Sequence, residues 1–313
     1  MTKIKTISVL GPTASGKTAL SIALAKQLDG EIISCDSMQL YRGMDIGTAT
    51  PDLSERDGIP HHLFDICDPE DSFSAADYAA AAVPVIADIA ARGKAVIFCG
   101  GTGMYLDSVM KISSYKEGKS DEGLREELAQ FAEANGNEAL HQKLREIDPE
   151  SADKIHPNNV KRVIRAIEIY RLTGMTKTQV DAEQVTGESP YDNTNVILDY
   201  KNRDILYDRI NRRVDLMLRD GLVEEAKALY DSGKLTGKTA SQAIGYKELV
   251  PYFEGNCTLI DAAEQIKLNT RHYAKRQITW FNRYDGIRIS PDEGETLLTA
   301  EEMAERVLNS IKK

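Results

Sequence analysis

A phosphate-binding loop lies near the start of the chain, where its glycines, lysine and threonine have the types and spacing needed to hold a phosphorylated molecule. It matches the pattern G-x-x-x-x-G-K-[ST] and consists of Gly11, Pro12, Thr13, Ala14, Ser15, Gly16, Lys17 and Thr18. The glycines let backbone N–H groups approach phosphate oxygens, while Lys17 and the N-terminus of a following helix supply positive charge. The hydroxyl of Thr18 is then expected to bind Mg²⁺.

Two other predicted strands end in segments that differ from those of nucleotide hydrolases. Strand 31–35 is followed by Asp36, whereas strand 95–99 is followed by Gly100-Gly101-Thr102-Gly103, which contains no acid. A hydrolase usually offers a strand-terminal acid for its metal and its water. Asp36 is therefore a metal-side acid, a helix N-cap, or a base that accepts a proton from a substrate.

The elements that position these residues alternate as strand, loop and helix up to about residue 111. This pattern predicts an α/β fold, a phosphate-loop NTPase-like parallel sheet flanked by helices, with a helical insertion domain. We expect the catalytic core at 1–111 and 196–313 and the insertion at 112–195. Later in the chain, helical spacing predicts a core-facing stripe without chemistry, formed by Leu206, Ile210, Val214 and Met217.

Composition narrows the possible functions. With 313 residues, 42% hydrophobic, the chain can bury a sizeable core, and a formal net charge of −10 argues against indiscriminate coating of nucleic acid. Two acid-poor basic stretches, 155–178 and 265–284, favour phosphate contact over a solvated helix face.

No apolar run is long enough to span a membrane, and the N-terminus predicts no signal peptide. Adjacent His61 and His62 point to opposite sides of an extended segment, so we expect structural roles.

The cysteines lack metal or disulfide spacing, which predicts reduced, buried thiols and a cytoplasmic protein. They are Cys35, Cys67, Cys99 and Cys257. The sequence does not give the oligomeric state, and a monomer is our working expectation.

Eight segments together carry a resemblance to a known family. They are 11–18, Asp36-Ser37-Met38-Gln39-Leu40-Tyr41, Asp45-Ile46-Gly47-Thr48-Ala49, 60–63, 100–103, 155–159, Ala243-Ile244-Gly245-Tyr246-Lys247-Glu248 and Thr270-Arg271-His272-Tyr273-Ala274-Lys275-Arg276-Gln277. On these segments the chain resembles the tRNA dimethylallyltransferases over nearly its whole length. Thr50 departs from the family, which has a lysine before the proline.

The resemblance implies transfer of a dimethylallyl group from dimethylallyl diphosphate to N6 of adenosine 37, next to the tRNA anticodon. The phosphate loop and a Mg²⁺ at Thr18 would then meet the charge that develops on the leaving diphosphate. The resemblance also implies that Arg213 helps to hold the diphosphate, although a surface salt bridge fits its sequence context equally well. Because the N6 lone pair is delocalised, a base must accept its proton, and Asp36 is the candidate. Thr102, on a glycine turn at a neighbouring strand end, is the candidate to meet the reacting centre from the other side, although the sequence alone does not place it.

The implied partner is the tRNA anticodon loop, from which the adenine must be flipped into the pocket. Asp36, Ser37, Met38, Gln39 and Thr102 are expected to contact the base. The resemblance further assigns tRNA contacts in the insertion to Arg125, Lys161, Arg162, Val163, Ile164 and Arg165. Arg162 and Arg165 are three apart on a helix predicted from about Asn158 to Thr173, so we expect them to share one face.

Other functions remain open on the residues alone. An adenylate prenyltransferase acting on free AMP, ADP or ATP would share the phosphate loop and the Asp36 turn. The helical insertion and the basic stretches favour RNA instead. A small-molecule kinase would also have the loop, but the acid-free second turn argues against it. A non-catalytic RNA-binding protein with a nucleotide switch would leave Asp36 unexplained.

Overall fold

A computed structural model describes residues 3–110, 121–183, 188–237, 239–293 and 296–311. The chain divides into two units, which we call the core unit (1–110 with 190–313) and the helical unit (111–189). No helix in these described ranges is long and apolar enough to cross a membrane.

Among the described residues, the core unit contains six strands that pair in parallel in the order β3-β2-β4-β1-β5-β6. They are β1 (Ile4–Leu10), β2 (Gly30–Ser34), β3 (His61–His62), β4 (Ala95–Gly100), β5 (Tyr191–Leu198) and β6 (Ile287–Ile289). The parallel sheet confirms the predicted fold class. The strand expected to begin at Val196 begins at Tyr191 because five further residues pair with β1.

The helices follow the chain in two groups. The core unit contains α1 (Lys17–Leu28), α2 (Ala75–Ala91) and α3 (Gly103–Met110) before the insertion. The helical unit contains α4 (Glu122–Asn135), α5 (Asn137–Ile147), α6 (Pro149–Lys154), α7 (Val160–Thr173) and α8 (Lys177–Glu183). The core unit resumes with α9 (Arg203–Arg219), α10 (Leu222–Asp231), a 3₁₀ turn (Ala240–Gln242), α11 (Val250–Phe253), α12 (Leu259–Phe281) and α13 (Ala300–Ile311).

Both faces of the sheet are buried because its apolar residues alternate between two cores. Ile32 packs with α1 and α13, whereas its neighbour Ile33 packs with α2, α3 and α12. A strand covered on both faces favours continuous apolar sequence, and β4, with Ala95-Val96-Ile97-Phe98-Cys99, has that pattern. The carboxyl ends of β1, β2 and β4 consequently meet at one edge of the sheet, where ligands bind in open α/β folds.

Candidate active site

The phosphate loop folds so that two of its carbonyl groups face protein donors. Gly16 has a φ of 95°, which places it in the left-handed region and lets α1 begin at Lys17. The carbonyl oxygen of Ala14 accepts a hydrogen bond from Arg209 Nε at 2.9 Å, and that of Ser15 accepts one from the Tyr200 hydroxyl at 3.2 Å. The Arg209 side chain therefore supports the loop.

A cavity of about 250 Å³ opens beside this loop. Lys17, Thr18, Asp36 and Arg213 all line it. Burial lowers the pKa of Lys17, and the nearby Asp36 carboxylate opposes that effect. The pKa of Arg213 is lowered in the same way, again with Asp36 in opposition. Two desolvated cations facing one cavity favour an anionic ligand, because a bound anion would restore the stabilisation that they lose on burial.

Asp36 and Thr102 come from the ends of neighbouring strands and meet at this edge. The Thr102 hydroxyl oxygen accepts from Ser37 N at 3.0 Å and lies 3.2 Å from Ser37 Oγ. Thr102 N donates to the carbonyl of Cys35 at 3.0 Å, while Asp36 Oδ1 accepts from Met38 N at 3.1 Å. The structure thus brings together the two residues expected to share the chemistry, and it fixes the carboxylate by a turn.

The Gln39 amide is committed to protein groups on both sides. Its oxygen accepts from Ser34 Oγ at 2.9 Å, and its nitrogen donates to the carbonyls of Thr48 and Ala49 at 3.4 and 3.2 Å. Gln39 lines the cavity, but these bonds direct its amide to the segment 45–49, which we call the wall loop. Its polar atoms therefore position the wall of the cavity.

The wall loop is anchored from its other side by Glu225 of α10. The Glu225 carboxylate accepts from the backbone N–H groups of Asp45, Ile46 and Gly47 at 2.9, 2.8 and 3.0 Å. It also accepts from the Tyr246 hydroxyl at 2.6 Å. One carboxylate therefore satisfies three consecutive backbone donors in a segment that forms no ladder with the sheet.

The cavity also has an apolar part of its lining. It includes Met38, Ile210, Val214, Met217, Ala243, Ile244 and Ile266. Three of the four residues expected to form only a core-facing stripe on α9 thus also line the site. The sequence prediction of a stripe without chemistry was incomplete, because helical spacing reports that a face is covered and not whether a protein core or a ligand covers it.

Helix α12 contributes residues to which no role was assigned from the sequence. Tyr273, Thr270 and Arg276 line the cavity, and Gln277 is buried beneath it. Burial raises the pKa of the Tyr273 hydroxyl, which lies near Asp36 and within hydrogen-bonding reach of Thr102 and Gln277. The signal was present in the segment 270–277, which resembles the family, but spacing alone could not separate residues facing the site from those facing solvent.

The oxygen donors needed for Mg²⁺ lie in the same cavity. Thr18 offers a hydroxyl and Asp36 a carboxylate, and hard oxygen ligands of this kind suit Mg²⁺ when a diphosphate supplies further oxygens. Among the described residues no group of three or more His, Cys, Asp or Glu side chains could hold a metal by itself. A substrate-assisted Mg²⁺ therefore fits the residues present.

The cysteines and histidines take part in packing and local hydrogen bonds, and Cys99 also lines the cavity. Cys35, Cys67 and Cys99 are buried as expected, but Cys257 is only half-buried. Burial raises the pKa of the Cys67 thiol to about 11. His61 Nδ1 lies 2.8 Å from the Ile59 carbonyl and His62 Nε2 lies 2.7 Å from Glu31, so the two rings have different partners.

In the helical unit, the residues expected to contact tRNA fall into three groups. Lys161 and Arg162 are exposed at the start of α7. Val163 and Ile164 are buried in the core of the unit, so their side chains support the helix and are not available to RNA. Arg125 and Arg165 both pair with the fully buried Glu168, at 2.8 and 2.6 Å.

These ion pairs change the expectation that Arg162 and Arg165 form one free basic face. Glu168 is the one acid of the basic stretch 155–178, and its burial explains its presence there. A buried carboxylate requires compensating charge, and the two arginines provide it. They hold the pKa of Glu168 below its usual range even though burial acts to raise that pKa. Within the described ranges, Lys161, Arg162 and Arg171 remain as exposed cations of this stretch without an acidic partner, and the first two lie together at the start of α7.

Comparison with known proteins decides the family. A profile described as IPP transferase matches residues 39–284. The chain belongs to the IPP transferase family. It is 51% identical over 279 residues to the tRNA dimethylallyltransferase of Halalkalibacterium halodurans, covering 89% of this chain and 88% of that one. It is 52% identical over 280 residues to the enzyme of the same name from Bacillus subtilis, covering 90% and 88%.

Solved structures of the family give the same result. The full-length tRNA isopentenylpyrophosphate transferase from Bacillus halodurans superposes with a TM-score of 0.72 at 45% identity, covering 99% of this chain and 96% of that one. A eukaryotic dimethylallyltransferase acting on tRNA gives a TM-score of 0.75 at 34% identity, covering 89% and 70%. The resemblance read from the sequence is confirmed, and so is its assignment to the prenyl-transferring enzymes.

Proposed function

We propose that the protein transfers a dimethylallyl group from dimethylallyl diphosphate to N6 of adenosine 37 in tRNA and releases diphosphate. One observation carries the proposal. A single cavity is lined by Lys17 and Thr18 of the phosphate loop, by Arg213 and Asp36, and by a set of apolar side chains, while Thr102 bonds to Ser37 next to Asp36. A diphosphate ester with a short alkyl group needs that division between charged and apolar surface.

The charged side of the cavity suits the leaving group. The loop, Lys17 and Arg213 would stabilise the negative charge that grows on the diphosphate as the bond to carbon breaks. A bound Mg²⁺ would add charge neutralisation there, held by Thr18 and the diphosphate itself. The apolar side would receive the dimethylallyl group and exclude water from its reactive carbon.

Asp36 is the proposed proton acceptor. Because Oδ1 already accepts from Met38 N, the other carboxylate oxygen, Oδ2, would take the proton from N6 as the new carbon–nitrogen bond forms. Thr102 holds the turn after Asp36 by accepting from Ser37 N. Ser37 and Met38 would contact the adenine, while Gln39 shapes the wall. Two separately bound substrates would thus meet between the loop and the Asp36 turn.

The tRNA backbone is proposed to contact the free cations of the helical unit. Lys161 and Arg162 are exposed at the beginning of α7, where phosphate binding is also favoured by the helix N-terminus. Arg125 and Arg165 would act mainly through Glu168, because they compensate its buried charge and so keep the helical unit folded.

Transfer of label tests the proposal directly. The protein is incubated with Mg²⁺, dimethylallyl diphosphate labelled in its alkyl group, and either unmodified tRNA or AMP. We expect label in tRNA that carries adenosine at position 37 and none in a matched transcript with guanosine there. Label in AMP instead would establish the adenylate prenyltransferase alternative, and label in neither would refute prenyl transfer to adenine.

A further inference from the structure

The Gln277 side chain of α12 links the two loops that the proposed reaction uses. Its Oε1 accepts a hydrogen bond from Thr13 N in the phosphate loop at 2.8 Å. Its Nε2 donates to the carbonyl of Gly101, next to Thr102, at 3.1 Å. Gln277 is only 4% exposed, so both bonds lie away from water. Thr13 N–H therefore faces a protein amide and not the anion expected from the loop pattern.

The link begins where the sheet stops. Strands β1 and β4 pair up to Leu10 and Gly100, after which their backbones diverge into the two loops. No strand pairing joins the loops beyond that point. Gln277 supplies one acceptor and one donor there, as a ladder residue would, and so extends the connection between the strands through a side chain.

The site is built closely around this amide. A Cβ atom on Gly101 would lie 2.1 Å from Gln277 Nε2, so only glycine leaves room for the bond. Helix α12 is itself fixed to α9 by Arg271, whose guanidinium donates to Asn211 at 2.6 Å. The amide orientation is determined, since only oxygen toward Thr13 N–H and nitrogen toward the Gly101 carbonyl satisfies both groups.

We propose that Gln277 is a positioning residue that sets the distance between the leaving-group site and the proton-acceptor site. The inference rests on the proposed function, because it concerns how two bound substrates are aligned. The phosphate loop would hold the reacting carbon through its diphosphate, whereas the Asp36 and Thr102 turn would hold N6. A displacement of about 1 Å between reacting atoms costs on the order of 10²-fold in rate. Each loop can bind its own substrate without the link, but the two are then not held in register.

Two substitutions separate this role from a general effect on folding. Gln277→Met keeps the length of the side chain and removes both hydrogen bonds. Gln277→Glu keeps the shape and the acceptor, but at high pH it cannot donate to the Gly101 carbonyl. A carboxyl group buried there is favoured in its neutral form, in which its O–H can donate. Gln27→Met and Gln27→Glu on the exposed side of α1 are matched controls.

The measurements are the melting temperature, the separate affinities for inorganic diphosphate and for tRNA, and the single-turnover transfer rate between about pH 6 and pH 8.5. For Gln277→Met we expect a rate about 10- to 100-fold below the parent at saturating substrates, with each affinity within about threefold. For Gln277→Glu we expect a similar loss at high pH and a rate, relative to the parent at the same pH, that recovers as the pH falls. The control variants should follow the parent.

Several results would overturn the inference. The first is a single-turnover rate in Gln277→Met equal to that of the parent. The second is a loss of activity in that variant that is explained wholly by the two affinities or by a lower melting temperature. The third is a rate of Gln277→Glu, relative to the parent, that does not change with pH. The parent protein separates this inference from the function on which it rests. If the parent transfers no label to tRNA, the proposed function fails first and the positioning role fails with it.

Discussion

Replacing Asp36 by Asn tests the proposed chemistry most directly. The exchange keeps the size of the side chain and an oxygen that can accept a hydrogen bond from Met38 N. In the parent protein Met38 N donates to Asp36 Oδ1 at 3.1 Å. It removes the ability to take a proton. The change also removes a negative charge that faces Lys17 and Arg213 in the same cavity.

These two effects act on different measurements. Loss of a general base lowers the rate of the chemical step by about 10²- to 10⁴-fold. This corresponds to an increase of about 2.7 to 5.4 kcal/mol in the activation free energy. The affinity for inorganic diphosphate without Mg²⁺ should stay equal or increase, since one repulsive charge has gone from the anion site. Affinity for tRNA should change much less than the rate.

Single-turnover transfer from labelled dimethylallyl diphosphate to tRNA measures the first effect, and equilibrium binding of diphosphate measures the second. Asp220→Asn, at the exposed end of α9, is a matched control that should behave as the parent. Transfer by Asp36→Asn at nearly the parental rate would refute the assignment of the base. A large loss of diphosphate affinity without Mg²⁺ would refute the electrostatic reasoning.

Three further predictions follow from other parts of the molecule. Replacing both Lys161 and Arg162 by Ala should weaken tRNA binding. The slope of log affinity against log salt concentration should fall by nearly two units, at about 0.7 to 0.9 per lost phosphate contact. An unchanged slope in a salt series would show that the two side chains form only a solvated face. Arg92 holds the pKa of buried Glu31 at about 2, so this pair stabilises the fold above the ordinary carboxyl pKa near 4.5 and loses its effect as the pH falls toward 2. Glu31→Gln should therefore lower the free energy of unfolding by about 1 to 3 kcal/mol at pH 7, a range that allows for solvent screening of the half-exposed Arg92. Near pH 2 the loss should be much smaller. Urea titrations at the two pH values measure the difference. Phosphate release from ATP or GTP should stay well below about 1 s⁻¹, because strand β4 ends in glycines and offers no acid to orient water, and steady turnover at or above that rate would favour a hydrolase.

Much of the fold was accessible from local sequence. Ser74 with Asp77 predicts the start of α2, and the structure contains the complete capping box there. Thr299 with Glu302 likewise predicts the start of α13. Such signals work because they depend on residues three positions apart. The beginning of β5 was misplaced because its first residues, Asp192 and Asn193 among them, are polar yet pair with β1.

The site was accessible only where its chemistry lies in consecutive residues. The phosphate loop and the Asp36 turn could be predicted because the backbone itself places their groups. The bond from Gln277 to Thr13 joins residues 264 positions apart, and no spacing rule reports it. For Arg165 the sequence indicated a positive charge but not its partner. Residue type alone does not show whether Glu168 is buried or solvated.

The attachment of the wall loop bears on how this site could be redesigned. The Glu225 carboxylate accepts from the backbone N–H groups of Asp45, Ile46 and Gly47, whereas Thr48 and Ala49 line the cavity without a bond to that carboxylate. The scaffold and the lining are thus carried by different atoms of one short segment. Libraries that vary positions 48 and 49 can alter the shape of the cavity while the anchoring carboxylate stays intact. Residues that tolerate a positive φ, such as Asn and Gly, are the first to try at position 49, because Ala49 has a φ of 49°.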